Sequence, residues 1–266
     1  MRVLAVHPDV IVLVSRVWQT TCTAARAGGE GFVIDSPVDP DELEALPGLL
    51  AQSAFPVSGL LSTHADWDHL LGRLAFPGAA LGCGESTSAR LAGEPGNAQR
   101  ALRAFDEEQY IEDRAPLALG AVQVLPVPGH LALGSGAEEI ELYPAAGHTA
   151  DGTAYWLGWA GVLVCGDYLS PVEIPDISDG GSLEAYVATL ERLREIVERA
   201  EVVVPGHGSP LERERALAVM EEDLAYLSAL RGGGPAAAAA LPPSRRTSAQ
   251  QGRHEANARR ISSGAT

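Results

Sequence analysis

Residues 57–72 read VSGLLSTHADWDHLLG. A short apolar run, VSGLLS, has the length and character of a buried strand, and it ends directly in a turn. That turn carries His64, Asp66, Asp68 and His69 within six positions. A loop at a strand end offers side chains from a rigid backbone while leaving them free to converge. Imidazole and carboxylate together suit zinc, manganese or iron rather than calcium, which takes oxygen donors. Side chains at the first, third, fifth and sixth places of one turn can point in different directions, so a single loop can serve two adjacent ions.

Three later segments have the same form. EEIELYP runs into PAAGHTADG and places His148 in a glycine-flanked loop. GVLVCGDYLS places Asp167 after a branched apolar run, and EVVVPGHG does the same for His207. Any one histidine is more often structural than a ligand. Four strand ends carrying four of the chain's seven histidines form a joint pattern that points to a metal centre.

Outward from these loops, Val10–Val14 and GFVID (31–35) read as strands, and DELEALPGLLAQS (41–53) as a helix with an acidic start. AALGC, AVQVLPV and TAYWLGW are further short strands, and ESTSARLAG and QRALRAFDEEQYI are helices. SLEAYVATLERLREIVERA (182–200) sets Leu183, Val187, Leu190, Leu193 and Val197 on one helical face. LERERALAVMEEDLAYLSAL (211–230) is a last long helix. The succession of strands and helices, repeated, suits an α/β fold of two stacked sheets with helices outside. One domain over 1–230 is followed by a segment over 231–266. In it, RGGGPAAAAALPPSRRTS (231–248) reads as a linker. AQQGRHEANARRISSGAT (249–266) reads as a basic tail resting loosely against an acidic body, with a fold-back toward the pocket as the alternative. His254 is not counted as a ligand.

Composition narrows the function. Hydrophobic residues make up 46% of the chain, enough for a sizeable core. With 35 acidic against 19 basic residues and a net charge of −16, a phosphate backbone is repelled, so nucleic acid is not an expected partner. Three scattered cysteines without a CxxC pair read as buried thiols. No signal peptide or membrane span is read, so the expectation is a cytoplasmic protein acting on a small molecule away from membranes. The oligomeric state is not legible. Neither a G-x-S-x-G elbow nor a P-loop lysine motif is present, which removes support for nucleophilic-serine and NTP chemistry.

In order, spacing and strand context, HADWDH, GHTADG, CGD and PGHG resemble the motif series of the metallo-β-lactamase superfamily, HxHxDH followed by a His, an Asp and a His. The resemblance implies a four-layer αββα sandwich with a binuclear metal site at one edge. It implies that His64, residue 66 and His148 hold a first ion, that Asp68, His69 and His207 hold a second, and that Asp167 bridges them. The implied cofactors are two divalent ions, zinc first, with manganese or iron as alternatives. The implied activity is a hydrolysis in which a hydroxide held by the metals attacks a small ester, thioester, lactone or related acyl substrate, with Asp68 as the catalytic proton carrier. An iron-dependent sulfur oxidation and a non-catalytic metal-binding or sensor module are the alternatives.

The sequence departs from the motif at residue 66, where the family pattern has histidine and this chain has Asp66. As a ligand, Asp66 adds an oxygen donor and a negative charge, tilting the first site toward harder ions. It could instead stand behind a weakened site, or the site could lack metal. Restoring histidine at 66 is expected to strengthen retention at the first site. For substrate contact, Tyr168 and Ile174 are the candidates, from the loop YLSPVEIPDISDGG. Arg100, Arg103, Phe105, Tyr110 and Arg114 belong either to a pocket wall or to an ordinary amphipathic helix. Trp67 is expected to pack beneath the motif loop, and Thr149 and Asp151 to secure the His148 loop.

Overall fold

The computed structural model describes residues 1–134, 136–233 and 241–262. Residues 234–240, the middle of the expected linker, and 263–266, the end of the tail, lie outside the described residues. One sheet has seven strands in the order β1 (Arg2–His7), β2 (Val10–Val14), β3 (Thr21–Ala27), β4 (Glu30–Asp35), β5 (Gly59–Leu61), β6 (Leu81–Gly84) and β7 (Val122–Leu125). The other has six, in the order β13 (Leu211–Glu212), β12 (Val202–Val204), β11 (Val162–Val164), β10 (Thr153–Leu157), β9 (Glu138–Pro144) and β8 (Gly129–Leu133). Pairing is parallel from β4 through β7 and between β11 and β12, and antiparallel elsewhere.

Strand β2 shows why the sheets stack. Its five residues are all buried because alternate side chains serve two different layers. Ile11 and Leu13 pack outward with Leu43, Leu46 and Leu50 of α1 (Pro40–Gln52) and with Leu102 and Phe105 of α4 (Asn97–Glu108). Val10, Val12 and Val14 face inward, against Ile140, Leu142, Tyr155, Val162 and Val164 of the second sheet. The outer face of that sheet is covered by α5 (Leu183–Arg199) and α6 (Arg213–Gly232), through Leu190, Leu193, Val197, Val219 and Leu227. The result is helix, sheet, sheet, helix: the αββα sandwich expected. Two short helices, α2 (Gly72–Ala75) and α3 (Glu85–Gly93), lie on the first-sheet side of the metal-motif loop.

Helix α1 begins where local chemistry dictates. The Asp39 side chain accepts from the Asp41 backbone N–H, Pro40 opens the first turn, and Asp41 and Glu42 face the positive end of the helix dipole. Ser182 caps α5 in the same way, accepting from the Ala185 N–H. Four strands escape the sequence reading: β1, β3, β8 and β13, the last taking Leu211 and Glu212 from the start of the helix expected over 211–230. Strand β3 reads TCTAARA; its burial comes from its neighbours in the sheet rather than from an apolar run of its own.

The final helix, α7 (Ser248–Ser262), packs onto the second layer. Leu241, Ala258 and Ile261 join the core of α5 and α6. Asn257, fully buried, donates to the Tyr226 hydroxyl at 3.1 Å, and His254 lies 3.2 Å from that same hydroxyl. The three cysteines are free and buried. Among the described residues, no helix is long and apolar enough to cross a membrane.

Candidate metal centre

The edge where β4, β5, β11 and β12 end is the edge where the two sheets are tied together. Thr153 N–H donates to the Thr63 carbonyl at 2.7 Å, Thr21 N–H to the Gly206 carbonyl at 2.8 Å, and the Thr21 hydroxyl to the Pro205 carbonyl at 2.6 Å. Loops leaving these strands therefore meet. His64 and the 3₁₀ turn Trp67–His69 follow β5, His148 lies between β9 and β10, Asp167 follows β11 and His207 follows β12. Glycine is required at two of these places. A side chain on Gly206 would collide with Asp167 Oδ1, and one on Gly147, at φ +136°, would run into the Tyr186 backbone nitrogen.

Two groups of donor atoms result, His64, His148 and Asp167 in one and Asp68, His69 and His207 in the other, each within 4.8 Å. Asp167 faces both. Its Oδ1 is 3.2 Å from His69 Nε2, and its Oδ2 is 3.4 Å from His148 Nε2 and 3.5 Å from His207 Nε2. Asp66 joins the first group, with Oδ2 3.5 Å from His64 Nε2 and 3.3 Å from His148 Nε2. Although Asp66 stands at the N-cap of the 3₁₀ turn, its carboxylate makes no cap bond there; it is turned to the cluster.

All four histidines are held by the other ring nitrogen. His148 Nδ1 lies 2.8 Å from the Asp176 carbonyl and His207 Nδ1 3.2 Å from the Trp18 carbonyl. Carbonyls only accept, so both Nδ1 atoms carry the proton. His69 Nδ1 is 3.0 Å from Asp35 Oδ2, which also accepts from the Thr63 hydroxyl at 2.9 Å. That hydroxyl, its proton given to Asp35, accepts from His64 Nδ1 at 3.0 Å. In the neutral ring every Nε2 is thereby left as a lone-pair donor aimed inward, the tautomer a metal requires. His64 Nε2, His69 Nε2 and Asp167 Oδ1 are buried with no hydrogen-bond partner. Such orphans are rare without a reason, and a cation among them supplies one. The residues present fit a pair of divalent ions.

Electrostatics point the same way. Burial alone would push the His148 imidazole down, but the hydrogen bond to Asp66 and the charges of Asp167 and Asp66 lift it to about 10. His207, opposed by burial and favoured by Asp167, rises to about 9. Burial works against ionising Asp66 and Asp167 too, yet the surrounding imidazoles hold both carboxyls well below their ordinary range. The cluster demands positive charge, from protons when no metal is bound. Stability from these raised histidines is complete below their ordinary value near 6.5 and is lost as pH climbs through 9 to 10. Chelator-treated protein should accordingly show an unfolding midpoint that falls between pH 6.5 and 10. The rise in midpoint on adding zinc should grow over that range, because fewer protons compete. A chelator-treated midpoint that stays level would show the imidazoles to be neutral.

A cavity of about 260 Å³ opens over the cluster. Trp18 borders one side, and Ala249, Gln250 and Arg253 of α7 border another. The C-terminal segment thus takes the alternative named from sequence: it folds back to the pocket instead of lying loosely on the body. Arg253 pairs with Glu173 at 2.7 and 3.1 Å, and Gln250 Oε1 accepts from Ile174 N–H at 2.9 Å. Asn257 brackets Asp176, accepting from Ile177 N–H at 2.9 Å and donating to the Pro175 carbonyl at 2.7 Å. Asp176 in turn supplies the carbonyl that holds His148. A larger cavity, about 370 Å³, lies against α3, α4 and β7, but no histidine or aspartate lines it.

The remaining expectations divide. Tyr168 and Ile174, expected to touch substrate, are each only 2% exposed and belong to the core of the second layer. The Tyr168 hydroxyl accepts from His148 N–H at 3.1 Å and donates to the Ala145 carbonyl at 3.1 Å, so this residue braces the loop from beneath. Trp67 packs against Trp18 and Phe105, with ring centres 5.6 and 5.0 Å away. Tyr110 is 92% exposed and forms no pocket wall. Asp151 reaches further than its own loop, accepting from Ala65 N–H and from Arg90. Sequence reading passed over Asp35, Trp18, Asp176 and Arg90. Asp35 had a usable signal, an aspartate closing the apolar strand GFVID just as Asp167 closes GVLVC.

A family model described as the metallo-beta-lactamase superfamily matches residues 15–207. A search of curated proteins gives no significant match. Among solved structures, a metallo-beta-lactamase family protein from Thermus thermophilus superposes with a TM-score of 0.67 at 22% identity, covering 98% of this chain and 95% of its own. A metallo-beta-lactamase from Pontibacter korlensis gives 0.62 at 19% identity, covering 83% of this chain and 98% of its own. A stereoselective inverting sec-alkylsulfatase from Pseudomonas sp. gives 0.68 at 12% identity, covering 86% of this chain and 42% of its own. At these identities the likeness is one of fold.

Proposed function

Because the chain belongs to the metallo-beta-lactamase superfamily, we propose that it is a metal-dependent hydrolase that cleaves a small ester, thioester, lactone or related acyl substrate at a centre of two divalent ions, zinc first. The observation that carries this reading is the set of inward Nε2 atoms, each fixed by its Nδ1 partner, surrounding Asp167. His64, Asp66 and His148 would hold one ion, Asp68, His69 and His207 the other, and Asp167 both. When bound, such a pair lowers the pKa of a shared water toward neutrality and polarises a substrate carbonyl oxygen.

The rest of the work falls to side chains. The Asp68 carboxylate borders the cavity, with Oδ2 3.5 Å from His207 Nε2. It takes the proton of the attacking water and returns it to the leaving group. Trp18, half exposed, offers an apolar surface at one side of the cavity, and the Gln250 amide nitrogen, outside the hydrogen bond its oxygen makes, offers a donor at the other. Arg253 balances Glu173 at the cavity wall, and the chain's net charge of −16 favours a small acyl compound over a polyanion or a nucleic acid.

The test couples metal analysis to a hydrolysis screen over thioesters, lactones and phosphodiesters. Protein expressed with added zinc should hold about two ions per chain. It should hydrolyse at least one acyl class, lose that activity to a chelator and regain it with zinc. Absence of metal after supplementation would refute the reading, and cleavage confined to phosphodiesters would move the substrate class.

A further inference from the structure

The proposed first site contains a carboxylate, Asp66, where the family pattern has imidazole, and the structure shows what stands behind it. Arg90, on α3, reaches Asp66 Oδ1 with Nη2 at 2.7 Å and Asp151 Oδ1 with Nη1 at 2.9 Å. Asp151 is 2% exposed and its Oδ2 accepts from the Ala65 N–H at 2.8 Å. Ala65 lies between His64 and Asp66. The His64–Asp66 loop is therefore held twice from one buried carboxylate, directly through its backbone and indirectly through the Arg90 guanidinium.

This arrangement has two chemical consequences. Asp66 has one oxygen committed to Arg90 and the other, Oδ2, turned to His64 and His148, so it can offer a cation only one oxygen. Arg90 also offsets part of the charge on Asp66, its own charge being shared with Asp151. A planar fork can bridge two carboxylates in this way, whereas an ammonium group cannot match both directions.

We infer that Arg90 is a positioning residue: by binding Asp66 Oδ1 it makes Asp66 a single-oxygen, partly charge-compensated donor, and so keeps the first site selective for zinc over the harder manganese ion. The inference rests on the metal centre proposed above. It also reverses the expectation for histidine at 66, since that change would strip Arg90 of one carboxylate beside a cation.

The experiment compares the full chain with Arg90→Met, Arg90→Lys, Asp66→His and the double variant Asp66→His/Arg90→Met. Each is stripped with chelator and titrated with zinc alone and manganese alone against a chromophoric competitor. Occupancy of the second site by zinc serves as the internal check of folding. In Arg90→Met the ratio of zinc to manganese affinity at the first site should fall about tenfold, the scale of one charge-assisted hydrogen bond. Arg90→Lys, keeping the charge without the fork, should fall between it and the parent. Asp66→His should bind zinc more weakly at the first site, and adding Arg90→Met should restore about tenfold. An unchanged ratio in Arg90→Met, or additive effects in the double variant, would overturn the role of Arg90 while leaving the metal centre intact. A parent chain that takes up no ion would overturn the proposed function itself.

Discussion

Asp167→Asn should empty both halves of the metal centre. Among the described residues, no other carboxylate stands within 4.0 Å of all four Nε2 atoms; Asp167 lies 3.2 Å from His69, 3.4 Å from His148, 3.5 Å from His207 and 4.0 Å from His64. The amide keeps the shape but removes the charge that two cations would share. Changing a residue that merely supports a ligand costs roughly 10–100-fold in metal affinity. Removing this carboxylate should cost at least about 100-fold at each site, and chelator-sensitive hydrolysis should disappear with the metal. Gly206 leaves space against Asp167 Oδ1, so the amide fits and the chain should remain folded. Atomic absorption on the purified variant decides the matter: two retained ions would mean that Asp167 is not shared.

The second large effect lies away from the metal. Arg245 has no exposed surface, and its guanidinium donates to Asp223 Oδ1, to Glu222 Oε2 at 2.9 Å and to the Glu173 carbonyl at 2.9 Å. It fastens the segment before α7 to α6 and to the loop after Asp167. Burial drives the Asp223 carboxyl up to about 7 even against the opposing pull of Arg245. Arg245→Met would leave that group without its hydrogen-bonded cation and the Glu173 carbonyl without the Arg245 donor. Breaking one partner of a buried pair costs about 3–5 kcal/mol, and urea unfolding of Arg245→Met should show a loss of that size. The double variant Asp223→Leu/Arg245→Met should recover part of it, because no buried charge remains unpaired. A loss below about 1 kcal/mol would place the pair among those of surface value.

The contrast between these two sites explains what could be read in advance. The proposed metal donors were legible because each follows an apolar strand, and a strand end is a local feature of sequence. His64, Asp68, His69, His148, Asp167 and His207 all met where their strands end together. Arg90 and Asp176 were not legible. Their roles depend on which loop lies across from them, a property of the assembled layers that no local pattern encodes. Tyr168 failed for the same reason: it sits next to Asp167 in sequence, but the bend after β11 sends its ring down against Tyr186, with ring centres 4.4 Å apart. Strand β3 was missed because Thr, Cys and Ala are buried there by neighbours that only the fold supplies. The tail misled through composition. A glycine- and alanine-rich run reads as detachment, yet the residues beyond it include the fully buried Arg245 and Asn257.

The bracket that Asn257 places around Asp176 has a consequence for biosynthesis. On the ribosome, all seven proposed donors emerge before Asn257, the residue that fixes the backbone behind His148. A nascent chain that bound the proposed ions early would hold one of them on a His148 ring whose Asp176 partner is not yet bracketed. A chain trimmed before α7 would lack that bracket altogether.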